Sequence, residues 1–229
     1  MKKQTLFLSG FRNMLPITTG IIPFGAVVGT VCAEAKLSFF KSIVMNNIVF
    51  AGASQLVAVD LMTKKTVWLV VVITGLIINL RFILYSAALS PIVHRSSFLV
   101  KLFCSYCLTD QGYAVMSANQ DKFRNNTEAI SFYIGASICM ILTWQASFVA
   151  GYAFGNFAPA ALSLDFAVPL SFIALVIPTM KNKNYLIVAL FASVTSILLN
   201  PLPYKLGLIL TAFSAILLAA FLTKKKVTA

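Results

Sequence analysis

Apolar runs of about twenty residues recur along this chain from Met14 to Leu222, separated by short breaks that hold most of its lysines and arginines. A helix needs roughly 20 such residues to cross ~30 Å of hydrocarbon. In lipid the backbone amides find no water, so the chain must satisfy them internally, as a helix does within a single segment. Hydrophobic residues make up 59% of the chain and charged residues 10%, against about a quarter charged in soluble domains. The expected fold is therefore an all-α integral membrane protein.

Cutting at the charge clusters gives eight candidate segments: 14–33, 42–62, 67–92, 98–116, 129–155, 166–180, 185–200 and 206–223. Three of them, 98–116, 166–180 and 185–200, are short or polar enough to be re-entrant or interrupted, so the expectation is a bundle of seven or eight transmembrane segments, some of them broken. No polar linker is long enough to join independent domains, and residues 1–229 read as a single transmembrane domain. The longest loop, about 117–128, leaves no room for a soluble catalytic domain. The first fourteen residues hold Lys2, Lys3 and a short apolar patch from Leu6 to Leu8. They have no small-residue cleavage site, so no cleaved signal peptide is expected.

A net charge of +12 would suit a nucleic-acid binder only if the cations formed a face with aromatic stacking partners. Here they flank the apolar runs, where lysine and arginine favour the cytoplasmic side. With eight spans and a cytoplasmic N-terminus, twelve flanking cations would lie inside: Lys2, Lys3, Arg12, Lys64, Lys65, Lys122, Arg124, Lys181, Lys183, Lys224, Lys225 and Lys226. Five would lie outside: Lys36, Lys41, Arg95, Lys101 and Lys205. Both termini are expected to be cytoplasmic. The four cysteines all fall within apolar segments, and the Cys104-x-x-Cys107 pair reads as packing, since a zinc site would want a second ligand pair. His94 is the only histidine, and there is no P-loop, metal-ligand cluster or serine–histidine pairing. The expectation is no enzyme, no metal and no cofactor.

Three segments break the rules of lipid. Residues 14–33 carry Pro16, Gly20, Pro23, Gly25 and Gly29. Proline removes an amide donor and clashes with the preceding turn, so the backbone from Gly20 through Pro23 to Gly25 is expected to open and offer polar groups at mid-membrane. A simply kinked helix is the plainer alternative. Residues 42–62 carry Asn46, Asn47, Gly52, Ser54 and Gln55, which suit helix glue or contact with a polar ligand.

Residues 67–92 place Asn79-Leu80-Arg81 near the midpoint. An arginine there costs about 2.5–3.5 kcal/mol on insertion scales, so it should face the bundle interior and find a partner. Asp110, the carboxylate lying well within a span, is the expected partner, while Asp60 and Asp165 fall near span ends. Two readings of Arg81 and Asp110 stand side by side. One is a structural ion pair. The other is a pair that opens to take the carboxylate and ammonium of a zwitterion.

The runs Pro16 to Gly25, Phe50-Ala51-Gly52-Ala53-Ser54-Gln55, Asn79-Leu80-Arg81 with Tyr85-Ser86, Thr109-Asp110, and Asp165-Phe166-Ala167-Val168-Pro169 resemble the azaleucine-resistance (AzlC-type) family in order and spacing. That resemblance implies the larger subunit of a bacterial inner-membrane exporter of branched-chain amino acids, paired with a small hydrophobic subunit of the AzlD type. Two positions depart from the family's pattern. Phe82 stands where histidine is common, and Gln111 where glutamate is common, so both lose a titratable group. Under this reading Arg81 meets the substrate carboxylate and Asp110 the ammonium. Asn79, Ser54, Gln55 and the opened backbone at Gly20, Pro23 and Gly25 complete the polar shell. A non-transporting membrane scaffold or sensor, or an importer of another small solute, is the alternative.

Overall fold

The computed structural model describes residues 3–155, 180, 183–202 and 206–227, and its elements there are helices joined by short turns, with no strand among the described residues. The chain divides into two compact units, Met1–Ser171 and Phe172–Ala229. The first holds α1 (Lys3–Glu34), α2 (Phe39–Ile48), α3 (Gly52–Thr63), α4 (Trp68–Asn79), α5 (Arg81–Val93), α6 (Phe98–Tyr106), α7 (Asp110–Ser117), a 3-10 turn (Gln120–Lys122) and α8 (Asn126–Gly155). The second holds α9 (Lys183–Leu199) and α10 (Leu206–Val227). In that second unit Gly207 is the contact point, because a methyl group on it would meet the Leu199 carbonyl.

The apolar segments become helices close to where the charge clusters cut them. Three of them, however, are each two helices rather than one. Segment 42–62 divides at Val49–Ala51 into α2 and α3, segment 67–92 at Leu80 into α4 and α5, and segment 98–116 at Cys107–Thr109 into α6 and α7. Segment 166–180 lies outside the described residues apart from its last position. Among the described residues α1 and α8 are long and apolar enough to cross a membrane, and the α4–α5 pair, bent by 44°, makes a third such element.

The break expected in the first segment does not occur. α1 runs unbroken for 32 residues through both Pro16 and Pro23, about 48 Å at 1.5 Å per residue. Each proline deletes one amide, leaving the carbonyls four residues back, at Arg12 and Thr19, without their usual donor. The turn is otherwise held: Thr18 and Thr19 donate their hydroxyls to the carbonyls of Leu15 and Pro16 at 2.6 and 2.8 Å. Pro23 is exposed, so its ring faces away from the packed side of the unit. Gly20, Pro23 and Gly25 therefore sit on a continuous helix, and the opened backbone assigned to them is absent. Gly25 packs instead, facing Ser147 and Trp144 of α8.

The seam between α1 and α8 explains why α1 stays straight. A methyl on Gly10 would meet the Phe132 carbonyl, and one on Gly135 the Phe7 carbonyl; farther along, Gly29 faces the Phe148 carbonyl and Gly151 the Ala26 carbonyl. N-terminal positions meet N-terminal positions and C-terminal ones meet C-terminal ones, so the two helices run parallel. At both levels each helix offers a glycine to the backbone three residues before the other's glycine, which is a local twofold exchange. Thr30 locks the upper level by donating to the Gly151 carbonyl at 2.8 Å. Backbone approach through small residues is the main source of van der Waals attraction between helices in lipid, where apolar side chains gain nothing by leaving the solvent.

The outer surface is aliphatic. Ile22 on α1, Leu76 on α4, Ile83 and Leu84 on α5, and Leu99 and Leu102 on α6 are all exposed. Lys36 and Lys65 end α1 and α3 in the left-handed region, at φ of 56° and 54°. There the amides of Leu37 and Thr66 close back onto the Cys32 and Leu61 carbonyls, a common way to satisfy the last turn of a helix.

Candidate functional site

The three interrupted segments share a register. Their second helices begin at Gly52, Arg81 and Asp110, at equal intervals of 29 residues (52 to 81, 81 to 110). Each break exposes a helix N-terminus, where unpaired amides carry partial positive charge. At α7 the terminus is closed by its own side chain: Thr109 accepts from the Gly112 amide at 3.1 Å. At α3 no side chain caps the first turn, although Gly52 and Ser54 are buried.

Arg81 and Asp110 lie at the first residues of α5 and α7 and form the ion pair expected of them, with Nη1 3.0 Å from Oδ2. The two side chains are 35% and 38% exposed, so the pair is not sealed by the described residues. Its bonding is also incomplete. Arg81 Nε and Asp110 Oδ1 are both buried atoms without a hydrogen-bond partner, and a buried unpaired donor or acceptor costs about 1–3 kcal/mol. The Arg81 guanidinium lies 5.3 Å from the Phe82 ring centroid, a cation–π distance. Phe82 thus adds an aromatic face beside the guanidinium. Tyr85 neighbours the Asp110 carboxylate and stacks on Tyr113 with centroids 4.6 Å apart.

Asn79, the last residue of α4 and two positions before Arg81 in the chain, reaches the first break. Its Nδ2 donates to Ser54 Oγ at 3.2 Å, and Ser54 in turn donates to the Ala51 carbonyl at 2.8 Å. Asn79 Oδ1 has no partner. Next to Ser54, Gln55 is fully buried. It donates through Nε2 to Asn46 Oδ1 at 3.2 Å, while its own Oε1 is unpaired. Of the residues expected at the site, Ser54, Asn79, Arg81, Asp110 and Gln55 line the first, second and third breaks. Gly20, Pro23 and Gly25 contribute none of the unpaired groups there.

Sequence reasoning passed over Trp144 and Gln145 of α8. Trp144 Nε1 and Gln55 Nε2 both donate to Asn46 Oδ1, the former at 2.8 Å, and Asn46 Nδ2 donates to Gln145 Oε1 at 2.8 Å. Gln145 Nε2 continues to Asn47 Oδ1 at 3.2 Å. Both lone pairs of the Asn46 oxygen are therefore in use, and Asn46 is helix glue. The Trp144 ring also fills the space in front of the α2–α3 break. A methyl on Gly52 would stand 2.5 Å from the indole and 2.7 Å from the Phe24 ring. A glutamine amide in the middle of an otherwise apolar segment was the available signal, of the same kind that singled out Asn46 and Gln55.

Residues 16–158 match the family model described as AzlC protein. The chain is 24% identical to the inner membrane protein YgaZ of Escherichia coli over 93% of its length and 91% of that protein's. It is 25% identical to an uncharacterized membrane protein of Archaeoglobus fulgidus over 80% of each chain, and 23% identical to one of Helicobacter pylori over 78% of this chain and 80% of the other. No solved structure matches.

Proposed function

The chain belongs to the AzlC protein family, its matched region covering more than half of its residues, and from that premise we propose that it is a secondary transporter exporting branched-chain amino acids across the bacterial inner membrane. It works with a small hydrophobic subunit of the AzlD type and performs no covalent chemistry. The observation that carries this reading is the incompletely bonded Arg81–Asp110 pair at the helix breaks. At the three breaks the unpaired side-chain atoms comprise one donor, Arg81 Nε, and three acceptors, Asp110 Oδ1, Asn79 Oδ1 and Gln55 Oε1. A zwitterion supplies the complement, since its carboxylate accepts from Arg81 and its ammonium carries three hydrogens to donate. Asp110 takes the ammonium, with Asn79 and Gln55 completing the acceptor set.

The three helix pairs are each one interrupted span. Two parallel helices, α1 and α8, require an odd number of crossings between them, and three satisfies that. The sequence's three remaining candidate segments, 166–180, 185–200 and 206–223, then bring the expected total to eight, with both termini cytoplasmic. A scaffold or sensor that docks a partner through glycine-rich faces draws less support, because Gly10, Gly25, Gly29, Gly135, Gly151 and Gly155 face neighbours within this chain.

Counterflow in liposomes with the purified protein, alone and with its small companion, tests the assignment. Labelled valine, leucine and isoleucine should exchange, while lysine and glutamate should not. Efflux of valine and isoleucine from peptide-fed cells should fall when the gene is deleted and recover on re-expression. Unchanged efflux in both arms removes the exporter reading.

A further inference from the structure

Beyond the ion pair, α5, α6, α7 and α8 enclose a cavity of about 310 Å³, at the low end of the roughly 300–1,000 Å³ of small-molecule sites. Its composition differs from that of the central pair. Lys101 contributes an ammonium and His94 an imidazole at the cavity wall, Ser86, Ser90 and Ser105 contribute hydroxyls, and no carboxylate lines it. The helices that form it are two-faced. On α6, Lys101, Cys104 and Ser105 line the cavity, at the i, i+3, i+4 spacing of one helix face. Leu99 and Leu102 on the same helix are 74% and 56% exposed. On α5, Ser86, Leu89, Ser90 and Val93 line it, while Leu84 on the opposite side of the helix is exposed.

Lys101 therefore projects from the inner face of an apolar helix, with no ion-pair partner among the described residues. A charge so placed faces water or a ligand rather than lipid. The cavity also adjoins the central site along the chain. Ser86 follows Tyr85, which neighbours Asp110, and Leu108 lies within the α6–α7 break, after which Asp110 begins α7.

We propose that this cavity is a second, water-filled subsite that holds the carboxylate of an amphipathic amino acid at Lys101, against the Ser105 hydroxyl one turn along α6, with its apolar side chain toward Leu89 and Met116. It rests on the transport reading only for the identity of the ligand. The central pair presents one cation and one anion, whereas this subsite presents the Lys101 ammonium and no carboxylate. It attracts the anionic end of the substrate and leaves the ammonium free to reach Asp110 next.

The test uses the full chain in lipid nanodiscs, with Cys104→Ala as background and Ser90→Cys as reporter. Two methanethiosulfonate reagents of similar size are compared, one bearing a sulfonate and one a trimethylammonium. The sulfonate should modify Ser90→Cys at least ~10-fold faster, the order by which a charged cleft enriches its counter-ion. Adding Lys101→Gln should bring the ratio to near one, and Lys101→Arg should restore it. L-valine at millimolar concentration should slow modification severalfold. Ser86→Cys serves as a second reporter if the first variant fails to fold.

No reaction with either reagent, as when lipid or a packed helix fills this face, overturns the proposal, and so does a preference for the cationic reagent or an absence of valine protection. These outcomes are separable from the transport reading. Charge-selective, valine-protected labelling in a protein that moves no valine removes transport and keeps the subsite. Valine flux with an inert Ser90→Cys does the reverse.

Discussion

The α1–α8 seam and the three interrupted helix pairs meet the same difficulty, polar groups in a solvent that offers no hydrogen bonds, in opposite ways. Along the seam, glycines let two backbones touch, and even a helix carrying two prolines stays continuous. At the breaks, the chain gives up helical bonds at Val49–Ala51, Leu80 and Cys107–Thr109. It replaces them with side-chain contacts that leave four polar atoms unpaired. The seam is backbone packed on backbone; the breaks leave side-chain donors and acceptors open to a further partner. That division, a fixed frame beside an unsatisfied polar cluster, is what a transport site requires, since a ligand can shift an equilibrium only through groups it alone satisfies.

The largest effect expected from breaking this contrast is at the seam. Gly151→Leu drives a side chain into the Ala26 carbonyl and should abolish accumulation of folded protein, measured by fluorescence-detected size exclusion. Gly151→Ala should cost about 1–3 kcal/mol as an overpacked contact, read as a drop in thermal midpoint. Full accumulation of Gly151→Leu would show that the seam is not the frame.

At the breaks the expectation is reversed, with activity lost and the fold retained. Arg81→Gln should lower valine flux by about two orders of magnitude, the loss expected when a buried charge contact worth ~3 kcal/mol is removed, while the protein still elutes as a single peak. Asp110→Asn should do the same. The double variant should be little worse than either single one, because the two groups act as a unit. Unfolding of both single variants, with stability restored in the double, would favour a structural ion pair.

A smaller effect is expected where the two regions join. Asn46→Leu strands the Trp144 indole N–H and the Gln145 amide, and should lower stability by about 1–3 kcal/mol with a lesser loss of flux. Smallest of all is Gly75→Ala on α4. Nothing lies within 4 Å of the added methyl, so it should raise the thermal midpoint slightly, in line with about 1 kcal/mol of helix propensity. A destabilised Gly75→Ala would mean that this glycine meets a neighbour outside the described residues.

The candidate site was legible in part. A guanidinium deep in an apolar run announces itself by its cost, and one interior carboxylate made the partner a short search. What misled was proline. Pro16 and Pro23 pointed to an opened first segment, yet each removes only one bond, and the threonine hydroxyls with the α8 seam hold the helix. The breaks fall at residues without proline, where Asn79 ends one helix and Thr109 caps another. A Thr-Asp-x-Gly run inside an apolar segment was a local cue. The α2–α3 break ends in Ala51-Gly52-Ala53, a run that by itself suits tight packing or an unwound stretch, and Trp144, ninety-odd residues away, packs against it.

Taken alone, the order of residues settles the solvent of this protein, its helical class, roughly where its apolar segments lie, and which charges must find partners. Those follow from length and transfer free energy, which are summed along the chain. The tertiary structure decides which helices are interrupted, which glycines meet a backbone, and which polar atoms remain unpaired. These depend on what lies across the bundle, since in lipid a backbone or side-chain group is satisfied or stranded by its neighbour in space, and no periodicity along the sequence records that neighbour.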